Sequence, residues 1–172
     1  MQGDNLIYGL LGALAIALLF AAFTDMRRRQ IDNWLNAGIA LAAPLFWYAT
    51  GLSLWPGIAI QVGMALVVFL ALAGLFALKV MGGGDVKLLS ALALWLPWYV
   101  DKPSPAYPYL QLLVLMSLLG GVLTVVLGSW HIMRRQKDKL KIPYGIAIAA
   151  AGIWVLAANY WPAAHAATGQ LG

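Results

Sequence analysis

The sequence predicts an all-α, polytopic membrane protein with about six transmembrane helices. Three observations predict it. Of the 172 residues 63% are hydrophobic and 10% charged, at a mean hydropathy of +0.82, a balance outside the range of soluble domains. The apolar residues gather into six segments, each near or somewhat below the ~20 residues of a spanning helix. The basic residues cluster at the ends of those segments in an order that sets an orientation.

The first segment, 6–23, is preceded by Asp4 and no base and is followed by Arg27, Arg28 and Arg29. That order is the reverse of a secretory signal peptide and places the N-terminus outside. The second, 35–49, leads into a turn near 50–56 built from Gly, Ser, Trp and Pro, which suits an aromatic membrane interface. The third, 57–80, ends at Lys79, and the fourth, 86–100, follows Gly82-Gly83-Gly84-Asp85. A Pro- and Tyr-rich loop near 101–108 precedes the fifth, 109–131, and the basic stretch from Arg134 to Lys141 precedes the sixth, 142–161. Alternation then puts Arg27, Arg28, Arg29, Lys79, Lys87, Arg134, Arg135, Lys137, Lys139 and Lys141 on the inner face. Ten of the eleven basic residues obey the positive-inside rule, Lys102 alone falls outside, and the C-terminus is also outside. No repeat and no soluble domain is visible, so residues 1–172 read as a single membrane-embedded domain. The net charge of +5 comes from these topology-setting residues, and no nucleic-acid partner is expected.

All six acids are aspartates, at 4, 25, 32, 85, 101 and 138, and there is no cysteine. His131 and His165 are the only imidazoles, so neither metal nor cofactor is expected. Asp25 and Asp85 both fall at the inner end of a membrane segment, where an ionisable side chain is by default a functional site. Two carboxylates held together cannot both ionise cheaply and share one proton, which lets the pair activate water. Gly82, Gly83 and Gly84 are expected to form a loop with positive φ values that brings backbone close to a substrate strand. The simpler reading has Asp85 as the N-cap of the helix from Val86 and Asp25 in a solvated ion pair with the arginines. Asp32 competes with Asp25 for the same role, while Asp4, Asp101 and Asp138 belong to loops or ends. Lys87 either tunes the pair, meets an acid of the substrate, or snorkels. Sharing a proton requires the first and fourth helices to be neighbours at their inner ends.

Three stretches carry a resemblance: Asp25-Met-Arg-Arg-Arg-Gln-Ile-Asp-Asn33-Trp-Leu, Gly82-Gly-Gly-Asp85-Val-Lys87-Leu-Leu, and Ile142-Pro143-Tyr144-Gly145-Ile-Ala-Ile-Ala-Ala-Ala-Gly152. In that order they resemble the type IV prepilin peptidases over nearly the entire chain, most closely the short members that serve Flp (Tad) pili. The resemblance implies that Asp25 and Asp85 are the catalytic pair. It implies support from the glycine triplet and Lys87, and a substrate-binding or structural role for Asn33, Pro143, Tyr144 and Gly145. It also implies a prepilin substrate, with a leader followed by an apolar helix, cleaved at the cytoplasmic face of the bacterial inner membrane. The chain departs from the family in having Asp32 where proline commonly precedes the asparagine. It also lacks the cysteine-bearing insertion of the longer members, so methyltransferase activity is not implied. Two alternatives remain: a preflagellin-peptidase-like or signal-peptide-peptidase-like protease, and a non-enzymatic scaffold or small transporter, the last without the paired halves a transporter shows.

Overall fold

In a bilayer every backbone N–H and C=O must be satisfied within the protein, and helices do this segment by segment. The computed structural model describes residues 2–98, 107–134 and 142–168, with side chains placed for 5–98, 107–134 and 142–160. Most of the loop near 101–108, including Asp101 and Lys102, and the basic residues 135–141 lie outside the described residues, as do the side chains of Asp4 and His165. Six helices form: α1 (Gln2–Arg28), α2 (Asn33–Ala49), α3 (Ala59–Ala77) after a short helical lead-in at Leu54–Ile58, α4 (Gly83–Trp95), α5 (Pro108–Met133) and α6 (Tyr144–Thr168). The predicted fold class is the observed one. Asn5–Arg28, Leu54–Ala77 and Pro108–Met133 are long and apolar enough to cross a membrane, and Tyr144–Tyr160 is apolar but shorter.

Helix ends follow from backbone chemistry. α2 closes in a Schellman motif at Gly51 (φ 67), with Gly51 N–H donating to the Tyr48 carbonyl and Leu52 N–H to that of Trp47. α3 closes in the same way at Lys79 (φ 60), where glycine is the usual occupant. α1 ends at Arg29 (φ 53), whose N–H donates to the Asp25 carbonyl at 2.8 Å. α4 stops because Pro97 disfavours helical backbone at the preceding residue, and Leu96 is extended (φ −92, ψ 110).

One expectation is corrected here. The glycine triplet is not a left-handed loop: Gly82 has φ −71 and ψ 143, Gly83 and Gly84 are the first turn of α4, and Gly51 is the only positive-φ glycine among the described residues. The inner ends of α1 and α4 meet at one cavity lined by Asp25 and Asp85, as proton sharing requires, while the rest of the two helices pack on other neighbours. α4 sits at the centre against α2, α3 and α6, while α1 packs on α2 and α6, and α5 on α6.

The 13 residues of α4 make about 20 Å of helix against a hydrocarbon core of about 30 Å. Its last turn therefore ends in the protein interior, where the open carbonyls need partners. Neighbouring helices supply them. Buried Gln61 of α3 donates from Nε2 to the carbonyls of Ala93 (2.8 Å) and Leu96 (3.0 Å), and its Oε1 accepts from Trp98 N–H (3.3 Å). Trp47 Nε1 of α2 donates to the Leu94 carbonyl at 2.8 Å, and Trp95 Nε1 returns a bond to the Ile39 carbonyl of α2 at 2.7 Å. Leu88, Leu89, Leu92 and Trp95 of α4 are buried among these contacts.

Replacing Gln61 with leucine keeps the volume and strands two buried carbonyls and one N–H. The expected cost is about 2–3 kcal/mol, read as a fall of several degrees in the thermal unfolding midpoint of the purified protein in detergent. An unchanged midpoint for Gln61→Leu would contradict the capping role.

Candidate active site

The C-terminal end of α1 and the N-terminal ends of α4 and α6 meet at one end of the bundle, the end that carries Arg27–Arg29, Lys79 and Lys87. Asp25, in the last turn of α1, is 7% exposed, and its Oδ2 accepts the Gly145 N–H at 2.8 Å. The donor belongs to the first turn of α6, where unpaired N–H groups and the helix dipole favour an anion. Asp25 is therefore not a solvated carboxylate: of the three arginines, Arg28 is exposed and Arg27 lies over the Phe23 ring at 5.0 Å, while Arg29 shares the cavities with Asp25 and its charge acts on the carboxylate.

Asp85 is the third residue of α4, not its N-cap, which is Gly82. Its carboxylate reaches back to the Gly82 N–H, the returning half of a capping box whose other half is missing because Gly82 has no side chain. A Cβ on Gly82 would lie 2.9 Å from Asp85 Oδ2. At Gly84 a Cβ would lie 3.4 Å from the backbone N of Ile31, and at Gly83 3.1 Å from the Phe76 ring. The tightest approach in the triplet is at Gly82, which leaves room for the Asp85 carboxylate, while Gly84 brings the connection after α1 against the first turn of α4. Asp25 and Asp85 are brought together by this contact and by α6, so the inner ends of α1 and α4 are neighbours although the helices do not pack along their lengths.

Both aspartates line a cavity of about 440 Å³ whose walls also include Asp32, Arg29, Asn33 and Lys87. Both also line a larger cavity of about 920 Å³ that extends past Phe76, Lys79, Met116 and Tyr144. The pair is open on two sides, one wall strongly polar and the other mostly apolar. Asp32, at the N-cap of α2, makes no side-chain cap bond and stands at the small cavity as a third acid. Lys87 Nζ donates to Asn33 Oδ1 at 2.7 Å, tying α4 to the start of α2. No group of three or more carboxylate or imidazole side chains among the described residues is placed to hold a metal ion.

The third motif proves to be the mount of Asp25. A Cβ on Gly145 would meet Asp25 Cβ and Oδ2 at 2.8 Å, so only glycine allows the N–H so close. Tyr144 stands on α5: its hydroxyl lies 3.2 Å from Thr124 Oγ1, and a Cβ on Gly120 would meet its ring at 2.8 Å. Pro143 lines neither cavity, and its carbonyl accepts the Ile146 N–H at 3.3 Å at the opening of α6. Gly120, Thr124 and the buried amides Asn36 and Gln61 were not singled out from sequence. For the two amides the available signal was a lone polar residue within an apolar segment.

Gly145→Ala should reduce activity at least a hundredfold, because the methyl group displaces the Asp25 carboxylate and breaks its backbone hydrogen bond. The helix itself is favoured by alanine, so far-ultraviolet circular dichroism should be unchanged. Near-wild-type turnover by the alanine variant would contradict this mounting.

Residues 12–129, which include Asp25, the glycine triplet and Asp85 and stop short of Tyr144, match the model of the type IV leader peptidase family. No curated protein and no solved structure gives a match. A match covering more than half of a chain with this membrane-helical fold is decisive at the level of family, and the protein belongs to the type IV leader peptidase family.

Proposed function

We propose that this protein is an intramembrane aspartyl endopeptidase that removes the leader from Flp-type type IV prepilins at the cytoplasmic face of the bacterial inner membrane. Asp25 and Asp85 form its catalytic pair. One observation carries the reading: two aspartates 60 positions apart in sequence line the same cavity, each held by a backbone N–H from a helix start. The family supplies the reaction class.

The chemistry follows from two adjacent carboxyl groups sharing one proton. The ionised member takes a proton from a water molecule as its oxygen attacks the scissile carbonyl, and the protonated member donates a hydrogen bond to the carbonyl oxygen. Collapse of the tetrahedral intermediate breaks the C–N bond, and a proton passes from the pair to the departing amine. Two carboxyl groups and water suffice for this without a cofactor, and the whole chain acts as one membrane domain. The distribution of basic residues supports a cytoplasmic site, since the cavities lie at the end that carries them. A prepilin held by its apolar helix presents the junction at that surface, so membrane insertion supplies much of the positioning.

Purified enzyme in detergent should cleave a Flp-type prepilin, with Asp25→Asn and Asp85→Asn each reducing turnover to background while the protein stays folded and inserted. Asp32→Asn should retain substantial activity, because a third acid at the cavity wall is not required to share the proton. Full activity in Asp85→Asn, or loss in Asp32→Asn with Asp25→Asn intact, would reject the assignment. Turnover should also survive EDTA and the double change His131→Ala with His165→Ala, and inactivation reversed by added zinc would point to a different mechanism.

A further inference from the structure

α2 and α3 flank α4 and leave a groove of about 540 Å³ between them. Its walls are apolar along α3, from Val62 to Phe69, and small along α2, at Ala37 and Ala40. It runs along α4 from Lys87 to Leu94, a rise of about 10 Å or two helical turns. Asn33 and Lys87, which line its mouth, also line the small aspartate cavity, so the groove leads directly to the reacting pair. In the membrane such a groove is filled by something apolar.

One group in it is not served by an apolar filler. Asn36 is 5% exposed and lines the groove, and neither its Nδ2 nor its Oδ1 has a hydrogen-bond partner among the described residues. Neighbouring Ser90 gives its hydroxyl proton to the Val86 carbonyl at 2.7 Å, and Lys87 is bonded to Asn33. A buried primary amide left with two donors and an acceptor unmet is destabilising at membrane depth. Gln61, on the facing helix, shows how this fold treats a buried amide that serves structure, with every bond made. Asn36 has the character of a group kept for a ligand.

We propose that the α2–α3–α4 groove seats the first two turns of the substrate's apolar helix, and that Asn36 hydrogen-bonds a polar side chain or unwound backbone amide within those turns. A lipid acyl chain matches the groove but leaves the amide unmet. A helix bearing one hydrogen-bonding group satisfies both. The inference rests on the peptidase reading above and adds to it the route by which the substrate enters and a positioning residue. Asn36 lies one helical turn from Asn33, too deep to serve as part of the catalytic pair, and acts on the register in which the junction reaches it.

The test uses the full-length enzyme and a full-length prepilin in detergent. Asn36→Leu should raise KM about tenfold with kcat within about twofold, and should raise the thermal unfolding midpoint, since an orphaned amide is replaced by an apolar group of similar shape. A structural asparagine would give a lower midpoint, and that result, or an unchanged KM, overturns the role of Asn36. Ala40→Trp fills the groove and should raise KM at least tenfold; unchanged KM there overturns the groove. A photoreactive benzoylphenylalanine at Phe69, placed in the inactive Asp85→Asn enzyme, should crosslink to the apolar helix of bound prepilin. Crosslinks from Phe76, in the other cavity, with none from Phe69, place the helix elsewhere and also overturn it. Failure of the peptidase reading is distinct: the unmodified enzyme would then cleave no prepilin.

Discussion

The rest of the structure depends on a helix too short for its membrane. α4 brings Asp85 to one end of the bundle and stops at Pro97 well before a spanning length, so its last carbonyls fall among apolar side chains. Gln61 and Trp47 close that end from α3 and α2, and the Trp95 indole fastens it in return. This explains why α4 occupies the centre of the bundle: a helix whose end must be closed by side chains needs neighbours on several sides. Central placement in turn sets Asp85 between two cavities, one reached by the start of α2 and the other by the start of α6.

The opposite end of α4 is organised by the absence of side chains. Gly82 leaves room for the Asp85 carboxylate, Gly84 for the α1–α2 connection, and Gly145 for Asp25. A methyl group would close the contacts at Gly82 and Gly145, while at Gly84 it would just touch Ile31. The strained backbone at this end lies beside the same cavities: Arg29 and Lys79 adopt left-handed φ values without being glycine, at about 1–2 kcal/mol each, and both line the larger cavity. Non-glycine residues persist in that conformation where surrounding contacts over-determine it. At Lys79 those contacts are the Schellman hydrogen bonds that end α3, and at Arg29 the bond to the Asp25 carbonyl. The strain and the catalytic candidate therefore share a turn.

The helices were legible in the sequence because lipid imposes one rule on every segment, and runs of apolar residues bounded by basic clusters report it directly. Asp25 and Asp85 were legible because acids are scarce and these two stand at membrane boundaries. The helical state of Gly83 and Gly84 was not, since a glycine triplet reads locally as a turn, and their packing against Phe76 and Ile31 involves residues distant in sequence. The role of α6 was also hidden: Pro143-Tyr144-Gly145 could be matched to a motif, but nothing local says that the Gly145 N–H meets a side chain 120 positions earlier. Packing order, and with it the indirect meeting of α1 and α4, depends on contacts that no hydrophobic pattern encodes.

Two buried amides show how far the same residue chemistry diverges with placement. Gln61 and Asn36 both interrupt apolar segments, both are almost fully buried, and by composition alone they are equivalent. Gln61 faces the open end of α4 and makes all its bonds, so its burial contributes to stability. Asn36 faces a groove that leads toward the aspartates and makes none among the described residues, so its burial subtracts from stability in the resting protein. A fold that satisfies one amide through three separate bonds has the means to satisfy another, and proteins commonly give up stability where a site must receive a ligand. The cost at Asn36 thus belongs with that of the two left-handed residues: all three lie in the walls of cavities that hold Asp25 and Asp85 or open beside them.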